Sequence, residues 1–219
     1  MHIAPTPYPE VNTLLAELLD GARAILGPQF VGMMLYGSLA AGDFDAASDV
    51  DVLVVTNADI STETFAALAM MHARMAQGDS PWATRLEISY IPLSALRRHD
   101  PAHATHPRLD RGGGERLYWM PHDVDWVVQR HALRERGLVI AGPTPASLID
   151  PVAPDDLRAA MRPLLQRREQ SLRDRPADLN FRGYQSYVVL TVCRMLYTLA
   201  HGTVVSKPIA ARWAVATLD

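Results

Sequence analysis

The sequence has one cysteine, Cys193, among its 219 residues, and a single cysteine excludes an internal disulfide bond. Proteins without disulfides are typical of reducing compartments, so we expect a cytoplasmic protein. Cys193 lies in an apolar run, where a small buried side chain is a better explanation than a nucleophile. No apolar run reaches the roughly 18 residues that a membrane-spanning helix needs. Pro5, Pro7 and Pro9 precede the first apolar stretch, which is unlike a secretory signal peptide.

A surplus of positive charge is also absent. The sequence carries 21 Lys and Arg residues against 24 Asp and Glu residues, a formal net charge of −3. Nucleic acid is therefore not expected as the main partner, whereas a cationic small molecule would suit a mildly acidic protein. The 48% hydrophobic and 21% charged residues are typical of a globular protein. We expect a monomer that does not contact membranes.

Helical and strand patterns alternate along the first two thirds of the chain. They predict helices at 11–26, 62–75 and 124–136 and strands at 30–36, 49–56, 85–91 and 138–141. The proline- and histidine-rich passage 97–114 is predicted to be a loop. After a turn at 142–145, the predicted elements are helices at 155–173, 184–201 and 206–218. We therefore predict an α/β (α+β) domain with a mixed sheet at 1–150 and an all-α domain at 151–219. A ligand is expected in the cleft between them.

Residues 36–55, YGSLAAGDFDAASDVDVLVV, contain the polar groups that most suggest a site. Side chains alternate along a strand, so Asp49 and Asp51 project from one face. Two adjacent carboxylates repel each other unless a cation lies between them, and a divalent metal ion is the usual cation. Gly37 permits a close backbone approach to a ligand, and N–H groups beside Ser38 could bind phosphate. The alternative is a solvent-exposed turn with two surface aspartates.

A third carboxylate, Glu87, lies in the predicted strand 85–91. A lone carboxylate in an apolar strand is costly unless it is exposed or partnered. If this strand neighbours the strand that carries Asp49 and Asp51, the three carboxylates share one face. They could then hold one or two Mg²⁺ ions against a nucleoside triphosphate.

The helical part of the sequence supplies two cationic residues. The segment 187–200 is apolar nearly all round, which predicts a buried helix, yet it contains Arg194. A buried guanidinium needs an anion, and either a phosphate or an internal aspartate would serve. Lys207 precedes Pro208, and proline is favoured in the first turn of a helix, where free N–H groups attract anions. Arg194 and Lys207 could therefore bind a triphosphate.

The combination of Gly37-Ser38, Asp49-Val50-Asp51 and Glu87 resembles the signature of the nucleotidyltransferase superfamily. The resemblance implies in-line attack of a substrate hydroxyl on the α-phosphorus of a nucleoside triphosphate, with release of pyrophosphate. It also implies that metal ions neutralise the phosphate charge, and that a carboxylate accepts the hydroxyl proton or binds a metal.

Residues 190–214, LTVCRMLYTLAHGTVVSKPIAARWA, resemble the C-terminal helical signature of the aminoglycoside adenylyltransferases that inactivate streptomycin and spectinomycin. The resemblance implies ATP as co-substrate, Mg²⁺ as cofactor and an aminoglycoside or aminocyclitol as acceptor. It assigns Asp49 and Asp51 to the metal and Glu87 to the catalytic base, and the shared face adds Glu87 to the metal ligands. The implied nucleotide contacts are Gly37, Ser38, Ser48, Arg194 and Lys207.

Two positions depart from the pattern of relatives that act on both antibiotics. Those relatives have a tryptophan in the loop that Gly112, Gly113 and Gly114 occupy here, and an aspartate before the long helix near Gly183 and Tyr184. In the family both residues are used on streptomycin, and neither is evident in this sequence. We therefore expect spectinomycin or another hydroxylated amine, rather than streptomycin, as the acceptor.

Arg194 and His201 also resemble the active-site pattern of helical ribonucleases that pair with small nucleotidyltransferases in toxin–antitoxin systems. On this alternative the first domain would modify a partner and the helices would cleave RNA. The pattern is short, and Lys207 with its surrounding helix favours the adenylyltransferase.

Three histidines, His99, His103 and His106, have a spacing that could suit a metal ion. Pro101 and Pro107 interrupt any helix that would align them. A solvated loop is therefore the predicted structure of this passage.

Overall fold

The computed structural model describes residues 4–45, 48–110 and 116–218. The chain divides into two compact units. The first comprises Met1–Asp123 and Ala132–Asp150, and the second comprises Val124–His131 and Pro151–Asp219. Residues 124–131, which the sequence places in the first domain, cluster with the helices of the second unit. None of the described helices has the length and apolar character that crossing a membrane requires.

The first unit is built on a six-stranded mixed sheet. Its strands are β1 (Phe30–Leu35), β2 (Val50–Thr56), β3 (Leu86–Pro92), β4 (Thr105–Leu109), β5 (Tyr118–Pro121) and β6 (Leu138–Ala141). They lie in the order β5-β4-β3-β2-β1-β6. β2 and β3 are parallel, and the other neighbouring pairs are antiparallel.

Short and long helices precede, connect and follow these strands. They are α1 (Pro9–Leu26), α2 (Gly37–Ala41), α3 (Thr62–Ala76), α4 (Leu93–Arg97), α5 (Asp125–Arg136) and α6 (Pro145–Leu148), of which α5 is shared between the two units. A parallel pair needs a crossover connection, and α3 supplies it between β2 and β3. The side chain of Ser61 caps this helix by accepting a hydrogen bond from the Thr64 N–H.

The hydrophobic core of the first unit lies against one face of the sheet. Val52 and Val54 of β2 are fully buried there, together with Leu18 of α1 and Leu68 of α3. Successive strand residues alternate between faces, so Asp51 projects from the opposite face of β2. The face that carries Asp51 also has fully buried apolar side chains further along β2, so the polar group lies near the start of the strand.

The predicted fold, a mixed-sheet α/β part followed by helices, is confirmed. The strands β4 and β5 are not predicted by the sequence, since β4 lies within the passage 97–114. Pro107 lies in β4, and proline inside a run normally argues against a strand. His106 is buried in β4 at 5% exposure, so the prediction of a solvated loop is wrong at this residue.

The second unit consists of α7 (Pro154–Asp174), α8 (Arg182–His201) and α9 (Lys207–Thr217), together with residues 124–131. The Arg158 Nε donates a hydrogen bond to the Leu199 carbonyl at 3.1 Å, which joins α7 to α8. The Trp213 ring of α9 packs edge-on against Tyr197 of α8, with 5.4 Å between ring centroids. Aromatic and polar contacts thus hold the helices together.

The helix α8 is buried on one side and exposed on the other. Val188, Thr191 and Thr198 are buried, whereas Tyr187 is 44% and Val189 is 59% exposed. The prediction of a helix buried all round is therefore wrong, because its apolar side chains outnumber the positions that the neighbouring helices cover.

One polar pair lies inside the core of the first unit. The Nε2 of His72 on α3 is 2.8 Å from the hydroxyl of Tyr90 on β3, and both side chains are buried. Burial lowers the pKa of His72 to about 4 and raises the pKa of Tyr90 above its ordinary value. His72 is therefore neutral in the folded protein at neutral pH.

We predict that His72 makes stability sensitive to acid. An unfolded histidine has a pKa near 6.5. The contribution of neutral, buried His72 to the free energy of unfolding is therefore complete above that pH and is lost as the pH falls towards 4. The loss amounts to about 3 kcal/mol of unfolding free energy. His72→Gln should remove this part of the acid dependence in urea unfolding between pH 7.5 and about pH 4.5.

The matched control is Tyr90→Phe, which keeps the buried histidine and should keep the acid loss. Burial also lowers the pKa of His106 and His122, so some acid dependence should remain in every variant. An unchanged pH dependence in His72→Gln would contradict the assignment.

Candidate active site

The turn between β1 and α2 brings Gly37 against the carboxylate of Asp51. The Tyr36 N–H donates to the Asp51 carbonyl at 3.1 Å, which ties the end of β1 to the start of β2. Gly37 has a φ of +67°, and a Cβ on it would collide with the Oδ2 of Asp51. Glycine is required here both for the left-handed backbone and for the space that the carboxylate occupies.

Asp51 and Glu87 are direct neighbours across the parallel strands β2 and β3. Asp49 stands just before β2, and its charge contributes to the raised pKa of Glu87. The structure therefore brings the three predicted carboxylates into one region. Glu87 is partly buried, with 22% of its side chain exposed.

The two predicted nucleotide-binding serines both precede Asp49 in the sequence. Ser38 is half-buried in the first turn of α2. The Ser48 hydroxyl donates to the Asp45 Oδ1 at 2.9 Å and accepts from the Asp45 N–H at 3.0 Å. Ser48 thus stabilises the turn before β2, and a nucleotide-binding role for either serine stays a prediction.

Arg108 of β4 is the functional candidate that sequence reasoning missed. Its Nη2 donates to the Glu87 Oε2 at 2.8 Å and its Nη1 donates to the Ser89 Oγ at 3.2 Å. Its Nε lies 3.5 Å from the Asp110 Oδ2, and 15% of the side chain is exposed. Ser89 and Arg108 are register partners on β3 and β4. The sequence gives little signal for this strand, because it has only five residues and Pro107 lies inside it.

Burial and neighbouring charges change the acidity of this cluster. Burial raises the pKa of Glu87, the Arg108 guanidinium opposes that shift, and the charges of Asp49 and Asp110 add to it. Burial acts to lower the pKa of Arg108, but the Tyr36 hydroxyl and the Glu87 carboxylate raise it overall. Burial raises the pKa of Tyr36. A carboxylate with a raised pKa is a better proton acceptor at neutral pH.

The carboxylates fit a magnesium site of the kind that substrate phosphates complete. Among the described residues, no three His, Cys, Asp or Glu side chains are grouped closely enough to hold a metal ion by themselves. Mg²⁺ is usually bound by one or two carboxylates plus phosphate oxygens, and the pair Asp49 and Asp51 fits that donor set. Glu87 as a third metal ligand stays a prediction, because its Oε2 binds Arg108.

The cationic candidates of the second unit lie on two helices. Lys207 is the first residue of α9, and its Nζ lies 4.9 Å from the centroid of the Tyr187 ring. Arg168 of α7 lies 5.0 Å from the same centroid, and its Nη2 donates to the Tyr187 hydroxyl at 3.1 Å. Arg194 is half-buried in the middle of α8. Lys207 and Arg168 thus concentrate positive charge around one tyrosine.

The remaining predicted positions have simpler surroundings. His201 ends α8, and its ring packs against Tyr197 at 4.3 Å and against Trp213 at 5.5 Å. Tyr184 lies in the first turn of α8. The glycines at 112–114 lie outside the described residues.

Comparison with known proteins identifies both parts of the chain. A family model for a nucleotidyltransferase domain matches residues 17–88. A family model for the C-terminal domain of aminoglycoside adenylyltransferase matches residues 147–219.

Individual relatives agree with these matches. An aminoglycoside (3'') (9) adenylyltransferase of Shigella flexneri is 27% identical across 95% of this chain and 80% of the relative. A spectinomycin 9-adenylyltransferase of Staphylococcus aureus (strain Mu50) is 27% identical across 92% of this chain and 77% of the relative. A crystal structure of spectinomycin adenyltransferase from Enterococcus faecialis with ATP and spectinomycin has a similar fold. Its TM-score is 0.72 at 17% identity, covering 94% of this chain and 83% of that chain.

We predict that Gly37→Ala destabilises the first unit more than Gly42→Ala does. Both glycines have a positive φ, but nothing lies within 4 Å of a Cβ at Gly42. Each substitution should cost about 1 kcal/mol for the left-handed backbone. The collision with Asp51 should add about 1–3 kcal/mol at Gly37. Equal losses of unfolding free energy in urea would contradict the placement of the Asp51 carboxylate.

Proposed function

The chain belongs to the aminoglycoside adenylyltransferase family of the nucleotidyltransferase superfamily, and on this premise we propose its reaction. It transfers AMP from ATP to a hydroxyl group of an aminoglycoside or aminocyclitol antibiotic, with release of pyrophosphate. The observation that carries the proposal is that the carboxylates of Asp51 and Glu87 are neighbours on paired strands, with Gly37 against Asp51. In the same chain, residues 17–88 match a nucleotidyltransferase domain and residues 147–219 match the C-terminal domain of aminoglycoside adenylyltransferase.

Glu87 acts as the general base in this proposal. The acceptor hydroxyl gives its proton to the Glu87 carboxylate while its oxygen attacks the α-phosphorus of ATP, and pyrophosphate leaves on the opposite side. The raised pKa of Glu87 supports this role, because a more basic carboxylate holds the proton more readily. Asp49 and Asp51 would hold Mg²⁺, which supplies neutralisation of the phosphate charge when bound.

Cationic residues of the second unit bind the triphosphate in this proposal. Lys207 stands at the N-terminus of α9, where free N–H groups favour anions. Arg194 adds a guanidinium that is always charged. Gly37, Ser38 and Ser48 are proposed to contact the nucleotide from the first unit.

Spectinomycin is the proposed acceptor rather than streptomycin. The sequence has Gly112, Gly113 and Gly114 where relatives with both activities carry a tryptophan, and Tyr184 near the position of their aspartate. Relatives of both kinds are 27% identical to this chain, so the choice rests on these two positions. Mg²⁺ dependence, a cytoplasmic location and a monomeric state are further parts of the proposal.

Growth of a susceptible bacterium tests the choice of acceptor. Expression of the chain should raise the inhibitory concentration of spectinomycin severalfold and leave that of streptomycin nearly unchanged. The control strain expresses Glu87→Gln at an equal level and should remain sensitive to both. Resistance to streptomycin alone would contradict the proposed preference.

We predict that Glu87→Gln removes turnover but keeps ATP binding. A general base contributes to the chemical step, so kcat should fall by roughly 100- to 10,000-fold, while ATP affinity changes little. Pyrophosphate release and ATP titration measure the two effects separately. Glu63→Gln, an exposed carboxylate at the start of α3, is the matched control and should keep full activity. Near-normal turnover in Glu87→Gln would exclude Glu87 as the base.

We predict that Lys207→Ala weakens ATP binding about tenfold, the cost of one charge-assisted hydrogen bond. Lys207 is the only lysine in the sequence, so an amine-directed ATP affinity label can modify a single side chain. ATP should protect that side chain from labelling, and peptide mass spectrometry should locate the label at Lys207. Labelling that ATP does not reduce, or an unchanged ATP titration, would contradict the assignment.

A further inference from the structure

We propose that Arg108 is a positioning residue that orients Glu87 for proton transfer. The inference rests on the proposed function, in which Glu87 is the general base. Arg108 binds the Oε2 of Glu87, and this contact directs the other carboxylate oxygen, Oε1, to the acceptor hydroxyl.

The geometry of the guanidinium carries the proposal. Arg108 uses Nη2 for Glu87 and Nη1 for Ser89, and its Nε faces Asp110. Ser89 is fully buried on β3, two residues after Glu87. Anchored to the strand at Ser89, the planar guanidinium fixes where Oε2 of Glu87 must lie. A carboxylate held in this way loses the freedom to rotate away from a reacting hydroxyl.

The acidic surroundings explain why such an anchor is needed. Glu87 faces Asp51 across the paired strands and lies within the electrostatic influence of Asp49 and Asp110. Like charges at this separation would turn the Glu87 side chain away from its neighbours. Arg108 places a cation among them, beside the Glu87 Oε2 and the Asp110 Oδ2. Arg108 therefore offsets the repulsion between Glu87 and the neighbouring aspartates.

Substitution by lysine separates charge from geometry. Lysine keeps a positive charge but presents a compact ammonium in place of a planar fork. Arg108→Lys should therefore fold, as measured by circular dichroism, and yet position Glu87 poorly. We expect kcat to fall about 10- to 100-fold in Arg108→Lys and further in Arg108→Ala, while the KM for ATP changes less than about threefold.

Two further readouts distinguish positioning from a merely structural role. Guanidinium ion added to Arg108→Ala should restore part of kcat, because it can occupy the space that the side chain leaves. Adding Arg108→Ala to Glu87→Gln should reduce kcat little further, since a residue that acts through Glu87 has no effect once the base is lost. The control is Arg98→Ala, which removes an 82% exposed arginine paired with Asp150 and should change neither kcat nor KM.

The outcomes are separable from those of the proposed function. If wild-type protein transfers no AMP to any acceptor, the proposed function fails and the inference fails with it. If wild type is active and Glu87→Gln is inactive, an unchanged kcat in Arg108→Lys and Arg108→Ala overturns the inference alone. The inference would also be overturned if added guanidinium did not restore the kcat of Arg108→Ala and the kcat losses of Arg108→Ala and Glu87→Gln multiplied in the double variant.

Discussion

The charge balance of the carboxylates around Glu87 is the constraint on which the site depends. Asp51 and Glu87 are neighbours on parallel strands, and Asp49 and Asp110 add negative charge to the same region. Such a group is stable only when cations or hydrogen bonds compensate it. Arg108 is a compensating cation that the structure places beside Glu87 and Asp110.

Each unit carries charged groups that the proposed reaction would use. In the first unit, Gly37 gives the Asp51 carboxylate its space, and the core valines of β2 fix its face of the sheet. In the second unit, Lys207 of α9 and Arg168 of α7 both lie beside the ring of Tyr187 on α8. Carboxylates suit metal ions, and lysine and arginine suit phosphates, so both kinds of group are chemically suited to the proposed reaction.

The alternation of apolar residues was sufficient to predict most elements of the fold. The motif at 36–55 and the strand of Glu87 also indicated which carboxylates would meet. Arg108 could not be predicted, because β4 is short and contains Pro107, and because its partner Ser89 becomes its neighbour only when β3 and β4 pair. Pairing between strands separated along the chain depends on tertiary structure, which periodicity alone does not specify. The exposed side of α8 was misjudged for a similar reason, since composition does not reveal how much of a helix its neighbours cover.

The most direct test of the account is the mass of the reaction product. Purified protein is incubated with ATP, Mg²⁺ and spectinomycin, with streptomycin in a parallel reaction, and the antibiotics are analysed by mass spectrometry. The account predicts that spectinomycin gains one adenylyl group while pyrophosphate accumulates in equal amount. Unmodified spectinomycin, or a product that carries phosphate without adenosine, would contradict it.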